Sequence, residues 1–356
     1  MSKKRLLGAA AVLALTMGLA LLLGQRWIGE RLFTAAVDKN VGIDTVAQLP
    51  DGLHAYVCGS GSPMPDAERA GPCIAVLAGD QAFVFDAGSG SIRKLGRMGF
   101  PMNRLRAAFL THLHSDHLDG LGELMLQAWM AGSRSAPLPI YGPAGTDRVV
   151  AGFMEAYDID RGYRIAHHGP DVARPGGFGG EAHQLDIATR TTVYDTNGVT
   201  ITAIPVDHYP VDHAYAYRVE YSGRALVISG DTKYSDNLAS FARGADVLFH
   251  EALNPAMVGK IGAALSEHGN SDAAKIMSDI PDYHTSPEDA ARVAQSAGVK
   301  ALVLYHLVPA PPVRAVERAF IGDAPSLFEG DLRVAEDGMF VTMLSKGKAI
   351  SFDQIL

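Results

Sequence analysis

A run of six residues, His112-Leu113-His114-Ser115-Asp116-His117, places three imidazoles and one carboxylate in a very short stretch of chain. The run follows the apolar segment Ala107 to Leu110, which predicts a strand, and precedes a helical pattern. Side chains at alternate positions of an extended segment lie on the same side, so the first two histidines can approach one cation. The aspartate and the last histidine turn toward a second cation as the chain bends into the helix. Neutral imidazole and carboxylate suit Zn²⁺ and related divalent metals.

Polar clusters also follow four later segments that are predicted to be strands. Val199 to Val206 leads into Asp207-His208, Ala225 to Ile228 into Gly230-Asp231-Thr232, Val247 to Phe249 into His250-Glu251, and Leu302 to Tyr305 into His306. In open α/β sheets, functional groups gather at one edge beyond the carboxyl ends of the strands. We therefore expect these residues to meet the histidine-rich run in one site that holds more than one metal ion.

The body of the chain alternates apolar, strand-like segments with helical ones, which predicts an α/β fold. Further strands are predicted at Ala55 to Cys58, Ile74 to Leu77, Ala82 to Phe85, Pro139 to Tyr141, Ala214 to Tyr221 and Phe340 to Leu344, and helices at Leu118 to Met130, Asp147 to Tyr157 and Pro287 to Ala297. The Gly- and Pro-rich stretch from Gly169 to Gly180 is interpreted as a mobile surface loop, with a lid as the alternative.

The amino terminus predicts a membrane segment. Lys3, Lys4 and Arg5 precede nineteen uncharged residues, Leu6 to Gly24, and a helix of that length is about 28 Å long, enough to span a bilayer. The charged residues that follow favour an uncleaved transmembrane anchor over a cleaved signal segment. The basic flank predicts a bacterial inner-membrane protein with a periplasmic catalytic body, or a periplasmic protein if the segment is cleaved. The predicted domains are 1–33, the anchor or signal, and 50–356, the α/β body.

Charge restricts the partners, and the cysteines leave one pairing open. Lys and Arg number 31 against 39 Asp and Glu, and this net charge of −8 argues against a generic nucleic-acid binder, because phosphate backbones attract basic surfaces. Two cysteines are too few for a disulfide framework. Cys58 and Cys73 either form one disulfide or remain two buried thiols.

Several motifs together give the chain a family resemblance. They are Gly59-Ser60-Gly61-Ser62-Pro63, Phe85-Asp86-Ala87-Gly88, the histidine-rich run, Asp207-His208, Tyr215-Ala216-Tyr217-Arg218, Ser229-Gly230-Asp231-Thr232, His250-Glu251-Ala252, His284-Thr285-Ser286 and Tyr305-His306. From about Leu53 to Leu344 the chain resembles the metallo-β-lactamase superfamily, specifically its ribonuclease Z and arylsulfatase-like branch. The resemblance implies a four-layer αβ/βα sandwich with the site at the common edge of two sheets.

The resemblance also implies a ligand set for two metal ions. One zinc would be bound by His112, His114 and His208 and the other by Asp116, His117 and His306, with Asp231 bridging both. We expect two Zn²⁺ per chain, with Mn²⁺ as a substitute. Two such cations lower the pKa of a bridging water and stabilise the oxygens of an in-line displacement, which predicts hydrolysis by a metal-bridging hydroxide.

Four residues are assigned catalytic tasks. Asp116 would orient the hydroxide as well as bind metal. By resemblance to the His-Ser-Thr element of ribonuclease Z, His284 would stabilise charge on a phosphoryl or sulfuryl oxygen or protonate the leaving group. Glu251, together with His250, would orient His284, although a neutral role in the core stays open for His250.

The predicted substrate is a small anionic ester, either a phosphodiester or an aryl sulfate. Tyr217 and Arg218 suggest a pocket for its anionic head group, and His213 either lines that pocket or lies at the surface. Ribonuclease Z-like cleavage of RNA is an alternative. Transfer RNA is not expected as a partner, because only 22 residues separate His208 from Asp231, too few for the long arm with which such enzymes hold it. Lactone or β-lactam hydrolysis and a metal-binding sensor or scaffold are further alternatives, and a homodimer stays open.

Overall fold

The computed structural model describes residues 3–44 and 46–356, with only part of the side chains in the stretch 3–40. Two compact units are found, residues 1–48 and residues 49–356. The first unit contains one long helix, α1 (Lys3–Asn40).

The prediction of a membrane-spanning helix at Leu6 to Gly24 is contradicted. This segment is part of α1, which continues without a break into charged sequence, including the exposed ion pair between Arg26 and Glu30. The side chains of the basic flank, residues 3–5, lie outside the described residues. Within the described part of the chain, no helix is both long and apolar enough to cross a bilayer. The predicted anchor and the inner membrane as a partner are therefore wrong, and the periplasmic location that was inferred from the anchor loses that support.

Residues 49–356 contain two β-sheets. In chain order the strands are β1 (Gly52–Gly59), β2 (Cys73–Ala78), β3 (Gln81–Phe85), β4 (Leu105–Phe109), β5 (Leu138–Gly142), β6 (Gly180–Gln184), β7 (Thr191–Thr196), β8 (Val199–His208), β9 (Val211–Tyr221), β10 (Arg224–Ile228), β11 (Val247–Leu253), β12 (Ala301–Val308), β13 (Asp331–Val334), β14 (Met339–Leu344) and β15 (Ser351–Gln354). Among the described residues, one sheet has the order β15-β14-β1-β2-β3-β4-β5-β6 and the other β13-β12-β11-β10-β9-β8-β7. The neighbours β3 and β4, and the set β10, β11 and β12, are parallel, so their carboxyl ends lie at the same edge.

Helices cover the outer faces of both sheets. They are α2 (Ser91–Arg97), α3 (Ser115–Leu118), α4 (Leu121–Met130), α5 (Thr146–His168), α6 (Asp236–Ala242), α7 (Pro255–Glu267), α8 (Ser271–Asp279), α9 (Pro287–Ala297), α10 (Arg314–Ile321) and α11 (Ala324–Leu327). Helices α2, α4 and α5 contact the first sheet, and α6 and α9 contact the second. The four-layer αβ/βα arrangement expected for the body is therefore found.

Alternating side chains fill two separate cores. In β12, Val303 and Tyr305 belong to the core between the sheets, whereas Leu302 and Leu304 pack with the helices outside the second sheet. Such a strand is buried on both faces, which explains its nearly continuous apolar sequence. Polar side chains buried in the middle of either core would lack hydrogen-bond partners, so the polar functional groups collect at the edge of the sheets.

A disulfide decides the pairing that the sequence left open. Cys58 and Cys73 are bonded, with their Cα atoms 5.0 Å apart. The bond joins the end of β1 to the start of β2, and the chain between them forms the Gly59 to Pro72 loop.

The structure differs from the sequence predictions where segments are polar or exposed. Strands β6, β7, β13 and β15 were not predicted, because they lie at or near sheet edges and carry mostly exposed or half-buried side chains. The stretch Gly169 to Gly180 is not a free loop or lid, because Ala173 and Phe178 pack against Trp129, whose indole N–H donates to the Arg174 carbonyl.

One buried ion pair yields a stability prediction. The Arg224 Nε donates to Asp246 Oδ2 at 2.9 Å, and both side chains are buried. We expect Asp246→Ala to lower the free energy of unfolding by about 3–5 kcal/mol, because Arg224 then stays buried without its partner. Urea unfolding at pH 7 measures this loss. The control Asp158→Ala, which removes an exposed pair with Arg161, should cost less than about 1 kcal/mol.

The same pair predicts the pH dependence of stability. Although burial opposes ionisation, the Lys300 ammonium, the Ala225 N–H and Arg224 lower the pKa of Asp246 below its usual value. The stabilisation is therefore complete above about pH 4, the usual pKa, and is lost as the pH falls through the lower folded-state pKa. The difference between wild type and Asp246→Ala should shrink from pH 7 to pH 3, and an unchanged difference would contradict this assignment.

Candidate metal centre

The histidine-rich run leaves β4 extended and then enters the short helix α3. His114 keeps an extended backbone, with φ −67° and ψ 148°, and Asp116 and His117 lie inside α3. The change from strand to helix keeps the four side chains together, and the rings of His112 and His117 have centroids 4.1 Å apart. The local bend that the sequence predicts is therefore present.

Two unusual backbone conformations position other residues of the cluster. Gly230, just after β10, has φ +60°, and a Cβ atom there would lie 2.7 Å from the Tyr215 carbonyl oxygen. Glycine is thus required immediately before Asp231. His306 has φ 46° and lies where the pairing between β11 and β12 shifts by one residue. A bulge of this kind redirects a side chain at the end of a ladder.

Ligand-type atoms converge in three overlapping groups within the described part of the chain. In each group the candidate atoms lie within 4.8 Å of one another; the groups are His112, His114, His208 and Asp231, then Asp116, His117 and His306, and finally Asp231, His284 and His306. The structure thus brings together all seven residues that the family resemblance assigned to metal binding, with His284 beside them. Asp231 Oδ2 lies 3.3 Å from His117 Nε2, 3.2 Å from His306 Nε2 and 3.9 Å from His208 Nε2, so this carboxylate approaches histidines of all three groups.

Unpartnered buried atoms indicate that these residues fit a metal. His117 Nε2 and Asp231 Oδ1 are buried, and neither has a hydrogen-bond partner among the described residues. Buried polar atoms are normally satisfied, and a divalent cation between an imidazole and a carboxylate would satisfy both atoms. The donor set of imidazoles and carboxylates is the one that zinc prefers.

Protonation follows from burial and from the neighbouring charges. Burial lowers the pKa of His112, His114 and His208, so these imidazoles are neutral and able to bind metal. Burial raises the pKa of Asp231, but His306 and His117 outweigh that effect and hold it well below its usual value. His117 is different: burial opposes its protonation, yet nearby carboxylates, Asp231 first, raise its pKa. A proton therefore competes with metal at His117 more than at the other histidines.

Hydrogen bonds to the second ring nitrogen fix three of the histidines. His117 Nδ1 lies 2.8 Å from Asp86 Oδ2, and His208 Nδ1 donates to the Tyr283 carbonyl at 2.9 Å. His112 Nδ1 lies 3.1 Å from Thr111 Oγ1. Each contact holds the Nδ1 side of its ring, which directs Nε2 toward the cluster.

Asp86 is a supporting residue whose role the sequence analysis missed. It follows β3 at φ 56°, and its carboxylate also accepts from the backbone N–H and the hydroxyl of Thr111, each at 2.8 Å. Asp86 thereby connects β3 to the start of the histidine-rich run. The available signal was an aspartate directly after a buried strand, the same pattern that identified Asp231.

His284 lies beside the cluster and is paired with Glu251. Its Nδ1 is 3.3 Å from Glu251 Oε2, and its ring stacks near His306 with centroids 5.5 Å apart. Glu251 is fully buried and accepts from the Thr285 N–H at 2.8 Å. Burial lowers the pKa of His284, but Glu251 outweighs that effect and raises it to about 9. His284 is therefore a cation at neutral pH.

His250 does not join this pair. It is fully buried, and its Nδ1 contacts the backbone carbonyl of Glu251 at 2.7 Å. No hydrogen bond between His250 and His284 is found in the described residues. Burial lowers the pKa of His250, which fits the neutral core role that the sequence analysis left open.

The predicted pocket for an anionic head group is not formed by Tyr217 and Arg218. Tyr217 is buried between the sheets and donates its hydroxyl proton to the Leu110 carbonyl. Arg218 points to the opposite face of β9, where it donates to the Phe241 carbonyl. Adjacent residues of a strand face opposite sides, so the two could not line one pocket. His213 is exposed in β9, near the end of β8.

Comparisons with known proteins agree with this geometry. Residues 82–307 match the model of the β-lactamase superfamily domain. Over 289 residues the chain is 39% identical to a ribonuclease Z of Mycobacterium bovis, covering 80% of this chain and 96% of that protein. The metallo-β-lactamase fold protein YhfI from Bacillus subtilis has a similar structure, with a TM-score of 0.56, 24% identity and coverage of 82% and 100%. The short form of human tRNase Z gives a TM-score of 0.57 at 20% identity, with coverage of 81% and 98%.

The support of His117 by Asp86 predicts an effect on metal affinity. We expect Asp86→Asn to weaken zinc binding by about 10- to 100-fold, the usual effect of removing a carboxylate that orients a ligand histidine. Competition with a chromophoric chelator measures the affinity. Asp80→Asn, at an exposed turn, should leave the affinity unchanged. Equal affinities for wild type and Asp86→Asn would exclude the orienting role.

Proposed function

Because this chain belongs to the metallo-β-lactamase superfamily and is a metal-dependent hydrolase of that fold, we propose that it is a ribonuclease that cleaves phosphodiester bonds in transfer RNA. The observation that carries the proposal is the convergence of seven His and Asp side chains, a set able to hold metal, beside the pair formed by His284 and Glu251. The 39% identity to a ribonuclease Z, over nearly the whole of that protein, supports RNA as the substrate class.

This proposal replaces two expectations from the sequence analysis. The exclusion of transfer RNA is wrong, because the relatives are named for cleaving RNA, and the net charge describes the whole surface and not the site. The preference for an aryl sulfate ester has no support from these relatives. The interval from His208 to Asp231 is filled almost entirely by β9 and β10, so it contains no long arm of the kind that the sequence analysis looked for.

The proposed metal ions are two Zn²⁺, with Mn²⁺ as a substitute. His112, His114 and His208 would hold one ion, and Asp116, His117 and His306 the other, with Asp231 reaching both. When bound, the ions supply a nucleophile at neutral pH and positive charge for the phosphoryl oxygens.

His284 contributes a proton at a defined position. Glu251 faces its Nδ1, so Nε2–H remains for a phosphoryl oxygen or for the oxygen that leaves. Glu251 is held in turn by the Thr285 N–H, which makes it a positioning residue for His284. Asp116, with its pKa lowered by His117 and His306 against the effect of burial, is ionised and accepts a proton or a hydrogen bond.

The role of His284 predicts a loss of turnover without loss of metal. We expect His284→Ala to lower kcat by about 10²- to 10⁴-fold on a transfer RNA transcript and on bis(p-nitrophenyl) phosphate, with two zinc ions retained. Steady-state kinetics and elemental analysis measure the two quantities. The control His268→Ala, at an exposed position, should match wild type. Loss of zinc in His284→Ala would instead make His284 a ligand, and hydrolysis of p-nitrophenyl sulfate without cleavage of RNA would defeat the proposed substrate class.

The pairing of His284 with Glu251 predicts how kcat depends on pH. Because protonated His284 is the active form, kcat should fall as the pH rises through about 9. Glu251→Gln removes the charge that raises the pKa of His284, so the fall should begin at lower pH. A pH–rate profile of both proteins tests this shift, and coincident alkaline limbs would show that Glu251 does not set the pKa of His284.

A further inference from the structure

Three tyrosines lie next to site residues in the chain. Tyr209 follows His208, Tyr234 follows the Asp231 turn, and Tyr283 precedes His284. Tyr209 is 73% exposed and Tyr234 is 44% exposed, so both rings are open to solvent. We call these three residues the tyrosine rim.

Hydrogen bonds connect the three segments that carry the rim. The Lys233 N–H donates to the Asp207 carbonyl at 2.9 Å, which joins the Tyr209 and Tyr234 segments. His208 donates to the Tyr283 carbonyl, and the ring of Tyr283 lies edge-on to His208 with centroids 5.3 Å apart. The three segments that carry the rim are therefore joined to one another and to the backbone that carries the metal-ligand cluster.

The local charge favours aromatic contacts over ionic ones. Asp207 is exposed beside Lys233, with their charged atoms 4.0 Å apart, and Asp236 accepts from the Tyr234 hydroxyl. The cation in this segment is thus accompanied by carboxylates, so it attracts phosphate weakly. Tyrosine faces bind single-stranded bases by stacking, which needs no net positive charge.

We infer that the tyrosine rim stacks the unpaired bases of the RNA that flank the scissile phosphate. This inference rests on the proposed function and adds the means by which a chain with a net charge of −8 holds a polyanion. Stacking orders the strand so that one phosphate lies at the cluster, while sequence preference stays low because every base has a flat face.

The central test replaces the exposed tyrosine at position 209. Tyr209→Ala should raise KM for a single-stranded RNA by about 10-fold, within the range observed when one base-stacking aromatic is removed, while kcat changes little. Tyr209→Phe keeps the ring and should stay within about 2-fold of wild type. Tyr209→Leu keeps the size without the aromatic face and should behave like Ala. Tyr163→Ala, an exposed tyrosine on α5, is the matched control and should leave KM unchanged.

A binding signal complements the kinetics. The probe is RNA that carries 2-aminopurine at the base flanking the scissile phosphate. Its fluorescence should fall when it binds the metal-loaded His284→Ala variant, which cleaves slowly. The fall should be smaller for the double variant that also carries Tyr209→Ala. The salt dependence of RNA binding should be the same with and without Tyr209→Ala, because this substitution removes no charge. Equal KM values and equal quenching for Tyr209→Ala and its parent would overturn the inference, as would a Phe variant as weak as Ala.

The outcome is separable from that of the proposed function. If wild type cleaves no RNA but hydrolyses small diesters, the proposed ribonuclease activity fails, whereas quenching by Tyr209 would still support base stacking. If wild type cleaves RNA and Tyr209, Tyr234 and Tyr283 can each be replaced by Ala without a change in KM, the ribonuclease proposal stands and the rim has no part in binding.

Discussion

The arrangement of residues at the shared edge of the two sheets depends on one buried carboxylate, that of Asp231. Asp231 is 2% exposed, and its Oδ2 lies between imidazoles that come from both sheets. An ionised group at such depth needs compensating charge, so the surrounding histidines and the two cations they would hold form one electrostatic unit. The glycine before it, the bulge at His306 and the bend after β4 all bring partners to this carboxylate.

Orientation of the cluster depends on groups that would not touch a metal. Asp86 fixes His117, the Tyr283 carbonyl fixes His208, and Glu251 holds His284 in its cationic form. These supports come from different strands and loops, so the register of the sheets decides whether each ring faces the site. The protein interior is close-packed, and a small error in register would misplace all of them together.

Global properties of the chain were poor guides to its partners. A net charge of −8 and a short interval between His208 and Asp231 argued against RNA, yet the relatives are ribonucleases. Net charge averages over the whole surface, whereas substrate binding depends on a few groups near the site. The apolar amino-terminal run likewise predicted a membrane anchor, while the described residues contain no helix suited to a bilayer.

The sequence by itself determined the alternating strand and helix order of the core, because buried strands require an apolar pattern. Its motifs, through the family resemblance, also indicated the seven His and Asp residues that converge in the structure. It did not reveal β7 or β15, since exposed edge strands need no apolar pattern. Only the tertiary structure decided that Tyr217 and Arg218 face away from the site, that His250 lies in the core and that Asp86 supports His117. These outcomes depend on which face of a strand a residue occupies and on contacts between residues distant in the chain, and a linear pattern does not specify either one.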